Sequence, residues 1–476
     1  MDSLPALRTL FQIVETALWF LPVTTRVPLK FGTEALTTVT CARVRLTLRA
    51  SDGSLSHGWG ETPLSVQWVW PSTRPYAQRH QALLQLTTRL AEAWLTLDPS
   101  THPIFLGRDV NDFLLPTVLQ SLNQQHCLAE VGEPVPHLAA LVCNSAFDLA
   151  LHDAFARQLN LPIYQTYSPS LLPSTLDQFL QPASGSEVRF QDQYLSQFLA
   201  VSPRKQLEAW HLVGGLDPLT PADLTGSEPK DGHPVLLADW IQRDGLRCLK
   251  IKLRGNDADW DYQRIAQIAH LSRPLGVQHL TADFNCTVQD PVYVCGILDQ
   301  LQSDEPDAFD SLLYVEQPFP YDLEAYPIEV HTVSQRKPLF LDESAHDWRL
   351  VKLGRELGWT GVALKTCKTQ TGALLSAAWA QAHGMSLMVQ DLTNPMLAQI
   401  PHVQLAAHLP TLMGVETNAM QFYPTASEAE AEIHPGLYTR HNGFLDLSTL
   451  SGPGFGYAGA DTVRSLPPAV VQKSRI

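Results

Sequence analysis

Hydrophobic and polar positions follow two different rhythms along this chain, and the change between them divides it. Leu10 to Val23 reads as a strand, with Ile13, Glu15 and Ala17 on one face and Val14, Thr16 and Leu18 on the other. The stretch contains Gln12, Glu15 and Thr16, is shorter than the roughly 20 apolar residues of a membrane span, and is followed by no small-residue cleavage site. Cys41 to Ala50 (CARVRLTLRA) alternates with period two, and Ser51-Asp52-Gly53 marks a turn before the next strand. From residue 77 to 157 the pattern turns helical. In NSAFDLALHDAFARQ, Ala146, Leu149, Ala150 and Asp153 keep the three-and-four spacing of one helix face. Strands followed by helices predict an α+β domain over residues 1–163.

Residues 164–206 are rich in Pro, Ser and Gln and read as an insertion or linker. Beyond them, short apolar runs alternate with helical stretches: LEAWHLV, LRCLKIKL, LTADF, LLYVEQP, PLFLDES, GVALKT, MSLMVQD and LMGVET. Between them, Tyr262, Ile265, Ala266 and Ala269 form a helical stripe. Eight strands alternating with helices predict an α/β fold, a TIM-type (β/α)7β barrel over residues 207–419, with a doubly wound open sheet as the runner-up. Residues 420–476 turn irregular and Gly/Pro-rich, and are expected to return to the first domain.

Composition narrows the partners. In 476 residues the formal net charge is -15, which argues against a nucleic-acid or anionic-membrane partner, since both demand a basic face. A small anionic substrate remains open to an acidic protein whose site is locally positive. Seven cysteines without paired spacing suggest reduced thiols and a cytoplasmic setting.

Polar residues gather at the ends of successive predicted strands. Lys250 and Lys252 end the second and share a face. Asp283-Phe284-Asn285 ends the third, Glu316-Gln317-Pro318 the fourth, Asp342-Glu343-Ser344 the fifth, and Lys365 the sixth, with Lys368 just beyond. In a β/α barrel these ends form one face, so the residues converge. Asp283, Glu316 and Asp342 offer hard oxygen ligands suited to Mg²⁺, with Mn²⁺ as an alternative. The lysines on either side suit general acid/base work once their pKa approaches neutrality. Together they suit abstraction of a proton beside a carboxylate, where a metal stabilises the enediolate charge. Asn285 and Glu343 read as hydrogen-bonders behind the ligands. Lys368 reads as peripheral, His402 and His408 as packing or surface residues, and the Gly454–Gly459 match to a dinucleotide fingerprint as coincidence.

The set KIK, ADFN, YVEQP, LDES and ALKTCK resembles the enolase superfamily, in the muconate-lactonizing-enzyme-like subgroup of the mandelate racemase/muconate lactonizing enzyme family. The resemblance extends to DGSLSHGWGE, AFDLALHD and LDLSTLSGPGFGY, and leaves out the insertion at 164–206. It implies that Lys252 and Lys365 are acid/base groups on opposite substrate faces, and that Lys250 contacts the substrate carboxylate and depresses the pKa of Lys252. It further implies that Asp283, Glu316 and Asp342 hold Mg²⁺. The implied activity is racemisation, epimerisation or cycloisomerisation of a small carboxylic acid. Alternatives are β-elimination, as in o-succinylbenzoate synthase or an acid-sugar dehydratase, or a silent metal-binding member. The resemblance also implies that cap segments meet the distal end of the substrate, here Lys30 and Phe31 within Lys30–Thr33, and the stretch from His57 to Glu61. Gln390 and Asp391 on strand seven, with Glu416 and Asn418 on strand eight, are the expected substrate-binding residues of the barrel. Where related dipeptide epimerases carry Asp-x-Asp, this chain has Glu416-Thr417-Asn418, which puts dipeptide epimerisation in doubt, while an acidic pair with Asp391 leaves a cationic substrate group open. A homo-oligomer is expected by analogy.

Overall fold

The computed structural model describes residues 10–31, 34–127 and 133–475, with only the backbone for Phe31, His126 and Cys127. The N-terminal region builds a four-stranded antiparallel sheet in the order β13-β1-β2-β3, from β1 (Phe11–Phe31), β2 (Glu34–Ala50), β3 (Leu55–Pro63) and β13 (Val471–Ser474). One face carries α1 (Tyr76–Ala93), α2 (Leu115–Cys127) and α3 (His137–Gln158). This is the α+β cap.

The strand read over Leu10 to Val23 is real, but its faces differ from strict alternation. Ile13 pairs with Leu48 and Glu15 with Thr47, so Val14 is a bulge. A bulge shifts the parity of everything beyond it. Ile13 therefore shares the helix-covered face with Leu18, and Thr16 on that face donates to Ala91 O at 2.7 Å. Glu15 turns to the other face, where it accepts from Arg45 (3.1 Å) and Thr47 (3.0 Å).

Helix α3 is buried around its whole circumference. By length and composition it could cross a membrane, yet it lies wholly inside the fold as a core helix. It sits close on β3 because two glycines clear the way. A Cβ on Gly58 would lie 2.1 Å from Ala154 N, and one on Gly60 would lie 2.1 Å from Ala146 O. The small residues Ala146, Ala150 and Ala154 complete that contact from the helix side.

The second unit is the barrel. Its parallel strands are β4 (Gln206–Val213), β5 (Cys248–Lys252), β6 (His279–Asp283), β7 (Leu312–Glu316), β8 (Leu339–Leu341), β9 (Gly361–Leu364), β10 (Ser386–Val389) and β11 (Val415–Glu416). Their order is β10-β9-β8-β7-β6-β5-β4-β11, and Leu412 N donating to Leu387 O at 2.7 Å closes the ring beside β11. All eight strands fall in the apolar runs read from the sequence. The crossover helices include α4 (Leu237–Asp244), α5 (Ala258–Ser272), α6 (Pro291–Asp304), α7 (His331–Ser334), α8 (Trp348–Leu357), α9 (Gln370–Ala382) and α10 (Gln399–His408). Inside the barrel, Trp210, Cys248, Tyr314, Phe340 and Met388 pack as an apolar floor.

Residues 164–206 do not cover the barrel mouth. They run along the outside of α9 and α10: Trp379 donates to Gln181 O at 2.8 Å, Gln381 to Phe198 O at 3.1 Å, and Ala200 N to His408 O at 2.8 Å. The tail returns to the cap through a buried ion network in which Arg43 joins Glu61 and Glu430, with Arg464 closing on Glu430 at 2.7 Å. A short strand in the tail, β12 (Phe444–Asp446), pairs antiparallel with β4. The Gly454–Gly459 segment belongs to this tail. Gly454 N donates to Leu161 O at 2.9 Å and Phe455 N to Asp153 Oδ1 at 3.0 Å, so the glycines serve close docking on α3. His402 and His408 are buried packing residues; His402 Nε2 lies 2.7 Å from Glu416 O, and His408 stacks on Tyr164 at 3.6 Å.

The close approach of α3 to β3 gives a direct test. Gly60→Ala should force helix and sheet apart and lower stability by about 1–3 kcal/mol or more. Urea denaturation of the purified variant measures it, and an unchanged midpoint would contradict the packing described.

Candidate active site

Register places the chemistry. Lys252 pairs with Asp283 and Asp283 with Glu316 across β5, β6 and β7, while Glu316 pairs with Phe340, two residues before Asp342 on the same face. Period-two alternation then points Lys250, Lys252, Asp283, Glu316, Asp342, Lys365 and Gln390 into the barrel above its apolar floor. All seven are buried.

The site is a single hydrogen-bonded charge cluster. Lys250 Nζ lies 2.7 Å from Glu316 Oε1, 3.0 Å from Asp283 Oδ2 and 3.0 Å from Glu416 Oε2. Lys252 Nζ donates to the same Asp283 oxygen at 2.5 Å. Across the mouth, Lys365 Nζ lies 3.2 Å from Asp342 Oδ2 and 3.2 Å from Gln390 Oε1, and donates to Asp391 O at 3.1 Å. Gln390 turns its amide to Glu316 Oε2 (2.5 Å) and Tyr314 OH (3.1 Å), tying the polar layer to the floor. Asn285 donates to Asp283 from its backbone at 2.8 Å and to Glu343 from its side chain at 3.1 Å, so it steadies both carboxylates.

Charge does not balance in this cluster. Six buried carboxylates (Asp283, Glu316, Asp342, Glu343, Asp391 and Glu416) face four buried lysines (Lys250, Lys252, Lys365 and Lys368), a formal excess of two negative charges. The excess shows in the acidities. Burial, then Asp342 and Asp283, pushes Glu343 up to about 7. Burial and Glu416 push Asp391 up to about 6. Burial raises Glu316 well above the usual carboxylate range despite Lys250. Burial works against the charge of Lys365, but Asp342 outweighs it and holds the ammonium above the ordinary lysine range.

Asp283, Glu316 and Asp342 are hard oxygen donors on three consecutive strands, and a divalent cation would cancel the excess charge. The donor set and the charge both fit Mg²⁺. Among the described residues no group of three or more His, Cys, Asp or Glu side chains is already gathered to hold a metal ion. The Lys250 ammonium bridges Asp283 and Glu316 instead, and metal binding would have to draw their oxygens away from the lysines.

Backbone strain collects at the same rim. Asn285, Cys286, Gln317, Thr369, Thr393 and Met396 all take positive φ, between 31° and 74°. Side chains pay a steric cost there, which surrounding structure must hold in place.

The other expected residues divide. Gln390, Asp391, Glu416 and Asn418 join the cluster and are engaged within it. Asn418 donates to Glu416 at 2.7 Å and to Asp391 from backbone (2.9 Å) and side chain (3.1 Å). Lys30 lies half-buried at the hairpin end, paired with Ala35, and does not line the mouth cavity. The side chain of Phe31, and Gly32 and Thr33 entirely, lie outside the described residues. His57 to Glu61 is strand β3, not a loop, and Glu61 is locked against Arg43 inside the cap. The cap segment that does reach the mouth is a helical turn, Val66–Val69, which the sequence pattern does not single out. Its Trp68 ring lies 5.4 Å from Lys365 Nζ and 5.8 Å from Lys368 Nζ. Lys368 is no peripheral residue: it is buried, bonds the Asp342 carbonyl, and lies 3.5 Å from Asp342 Oδ1. Its three-residue spacing from Lys365, across a tight turn after β9, was the available signal.

Residues 235–461 match the family model described as enolase C-terminal domain-like. That match takes in the barrel from its second strand and part of the tail, a little under half of the chain. No curated protein matches it in sequence. Its fold is similar to that of the L-Ala-D/L-Glu epimerase from Bacillus subtilis, at 18% identity, TM-score 0.59, and 97% and 100% coverage of this chain and that one. It is similar to N-succinyl Arg/Lys racemase from Bacillus cereus, at 16% identity, TM-score 0.60, with 97% and 99% covered. It is likewise similar to muconate lactonizing enzyme from Pseudomonas fluorescens, at 17% identity, TM-score 0.57, with 94% and 96% covered. The whole of this chain, cap and barrel together, therefore has the fold of these enzymes.

A cation held by Asp283, Glu316 and Asp342 would disfavour protons on the carboxylates beside it, through charge alone. Glu343 and Asp391 carry raised pKa values of about 7 and about 6, so both hold protons below those values and lose them above. A cation favours the ionised forms. Fixed Mg²⁺ should therefore stabilise the protein more as pH rises from 5.5 to 7.5, reaching about 2.7 kcal/mol when Mg²⁺ is at 100 times its Kd. Thermal unfolding with Mg²⁺ and with EDTA across that range tests this, and an Mg²⁺ effect that shrinks with pH would contradict it.

Proposed function

We propose that this chain is an Mg²⁺-dependent isomerase, with Mn²⁺ as an alternative metal, that moves the proton α to the carboxylate of a small acid through an enediolate. One observation carries the reading: the lysines of β5 and β9 stand on either side of the three carboxylate-bearing strands β6, β7 and β8. A substrate carboxylate seated over those strands would present its α-carbon between Lys252 and Lys365.

When bound by Asp283, Glu316 and Asp342, the metal ion would supply positive charge for the two enediolate oxygens and lower the energy of the deprotonated acid. The protein's own groups move the proton. Once released from Asp283 and stripped of one proton, Lys252 takes the α-hydrogen at Nζ, the C–H pair becomes the C=C of the enediolate, and Lys252 becomes an ammonium again. Lys365, already held as an ammonium by Asp342, returns a proton to the same carbon from the other face and becomes neutral. The reverse direction exchanges the two roles. Lys250 stays charged throughout, since Asp283, Glu316 and Glu416 hold it above the ordinary lysine range against its burial. It orients a carboxylate rather than moving a proton. Trp68 closes over Lys365 and Lys368 and keeps water from the α-carbon.

An acid group waiting on the second face favours racemisation or epimerisation. Cycloisomerisation and β-elimination pass through the same enediolate but carry only one proton transfer at the α-carbon, so a single lysine on one face would serve them.

The decisive experiment incubates the protein with Mg²⁺ and chiral carboxylic acids in D₂O and follows loss of the α-proton by NMR and configuration by chiral separation. Lys252→Ala and Lys365→Ala should each lower interconversion by about 100-fold to 10,000-fold, while both fold normally. Interconversion that persists in either variant would remove that lysine from its role.

A further inference from the structure

On the outer side of α10, away from the mouth, lies a cavity of about 560 Å³, within the size range of small-molecule sites. Three segments enclose it: the 164–206 stretch, the outer face of α10, and the tail around Ser451 to Gly456. The described residues that line it include no member of the charge cluster at the mouth. Its walls are tied to one another. Ala200 N donates to His408 O at 2.8 Å and Arg204 N to Ala407 O at 3.1 Å, while Gln404 of α10 donates to Phe455 O in the tail at 3.0 Å.

The chemistry of this cavity differs from that of the mouth. Leu161, Ile163, Leu171, Leu199 and Leu450 supply hydrocarbon. On a chain of net charge -15, no carboxylate side chain among the described residues lines it. Lys205 at its rim is exposed, and its ammonium meets no carboxylate among the described residues. His408 is the buried polar group of the wall. It is 6% exposed and stacks on Tyr164 with 3.6 Å between ring centroids. Its Nδ1 lies 2.8 Å from Gln404 O, one turn back on its own helix, so Nδ1 carries the ring proton. Burial, aided by the Lys205 ammonium, holds the imidazole down to about 4 against that bond, and the ring is neutral at pH 7. Nε2, on the far edge of the ring, is then a lone-pair acceptor, and among the described residues no donor meets it.

Each feature selects part of a ligand. The hydrocarbon wall suits an apolar body. One ammonium without a carboxylate beside it suits a single negative charge; a phosphate dianion draws several donors or an arginine fork, which this lining lacks among the described residues. The free imidazole nitrogen suits one N–H or O–H. We propose that this cavity is a second binding site, separate from the barrel mouth, for a small apolar monocarboxylate that carries an N–H or O–H donor. Its carboxylate meets Lys205, its donor bonds His408 Nε2, and its apolar body lies against the leucines. The 164–206 stretch supplies Lys205 and much of the wall, so the site exists only with that stretch in place.

Isothermal titration of the full chain in EDTA, which keeps metal from the mouth, tests this with indoleacetate, its N-methyl derivative and tryptamine. Indoleacetate should bind at one site per chain. N-methylation removes the donor and should weaken binding about 3-fold to 10-fold. Tryptamine has the same ring and the opposite charge, and should bind about 10-fold more weakly. Lys205→Glu, at an exposed position, should abolish the preference for indoleacetate over tryptamine. His408→Phe keeps a ring on Tyr164 and should make the two acetates bind alike. Tryptamine binding as tightly as indoleacetate would overturn the site, as would indoleacetate binding that Lys205→Glu leaves unchanged, or no binding at millimolar concentration. Equal binding of the two acetates by the wild-type protein would remove His408 from its role, and that comparison stands even if His408→Phe fails to fold.

Discussion

Six carboxylates and four lysines share one buried volume at the barrel mouth, and most of the structure can be understood as what holds them there. A buried charge without a partner costs several kcal/mol, so each member must be met by an opposite charge or a hydrogen bond. The barrel answers this by geometry. Parallel strands in register bring Lys250, Asp283 and Glu316 within hydrogen-bonding range although the chain separates them by dozens of residues. Gln390 and Asn418 then fill the remaining bonds with uncharged amides. Two negative charges stay unmatched, and that imbalance is the reason the cluster suits a divalent cation.

The cap takes part in this arrangement from its buried helix. Asp148 on α3 accepts from Thr371 through backbone N (2.9 Å) and hydroxyl (2.8 Å), and His152 lies 2.9 Å from the same hydroxyl. Asn111 donates to Thr369 Oγ1 at 3.2 Å. The turn that carries Lys365 and Lys368 into α9 is thus gripped by the cap as well as by neighbouring barrel loops. Thr369 itself has φ of 74°, a conformation that this grip stabilises. Cap and barrel build the site jointly, and displacement of α3 would disturb lysine placement before it disturbed the strands.

The barrel and its strand-end residues were legible in the sequence because period-two runs and polar strand ends are local patterns. Lys252, Asp283, Glu316 and Lys365 could be placed on one face from alternation alone. What could not be read depends on encounters between distant segments. Val14 bulges because β1 meets β2 in a shifted register, which no periodicity in β1 announces. Trp68 sits in an apolar run that looks like core; its position over two lysines is set by how the cap docks. Lys368 follows a strand by four residues and reads as a surface lysine until the turn after β9 folds it back onto Asp342. The insertion at 164–206 has the composition of a loop, and its course along α9 and α10 is written in partners such as Trp379 and His408 rather than in itself.

The pairing of β13 with β1 has a consequence for the making of the protein. Glu15 lies opposite Ser474, and Trp19 donates to Pro467 O across 448 positions of sequence at 2.9 Å. Strand β1, paired with β2 on one side, therefore gains its neighbour on the other only when residues beyond 470 have been synthesised. Until then one edge of the N-terminal sheet is bare, with its backbone groups open to any passing strand. Closing a loop of that span is also slow. That edge is covered only once the tail has docked on β1.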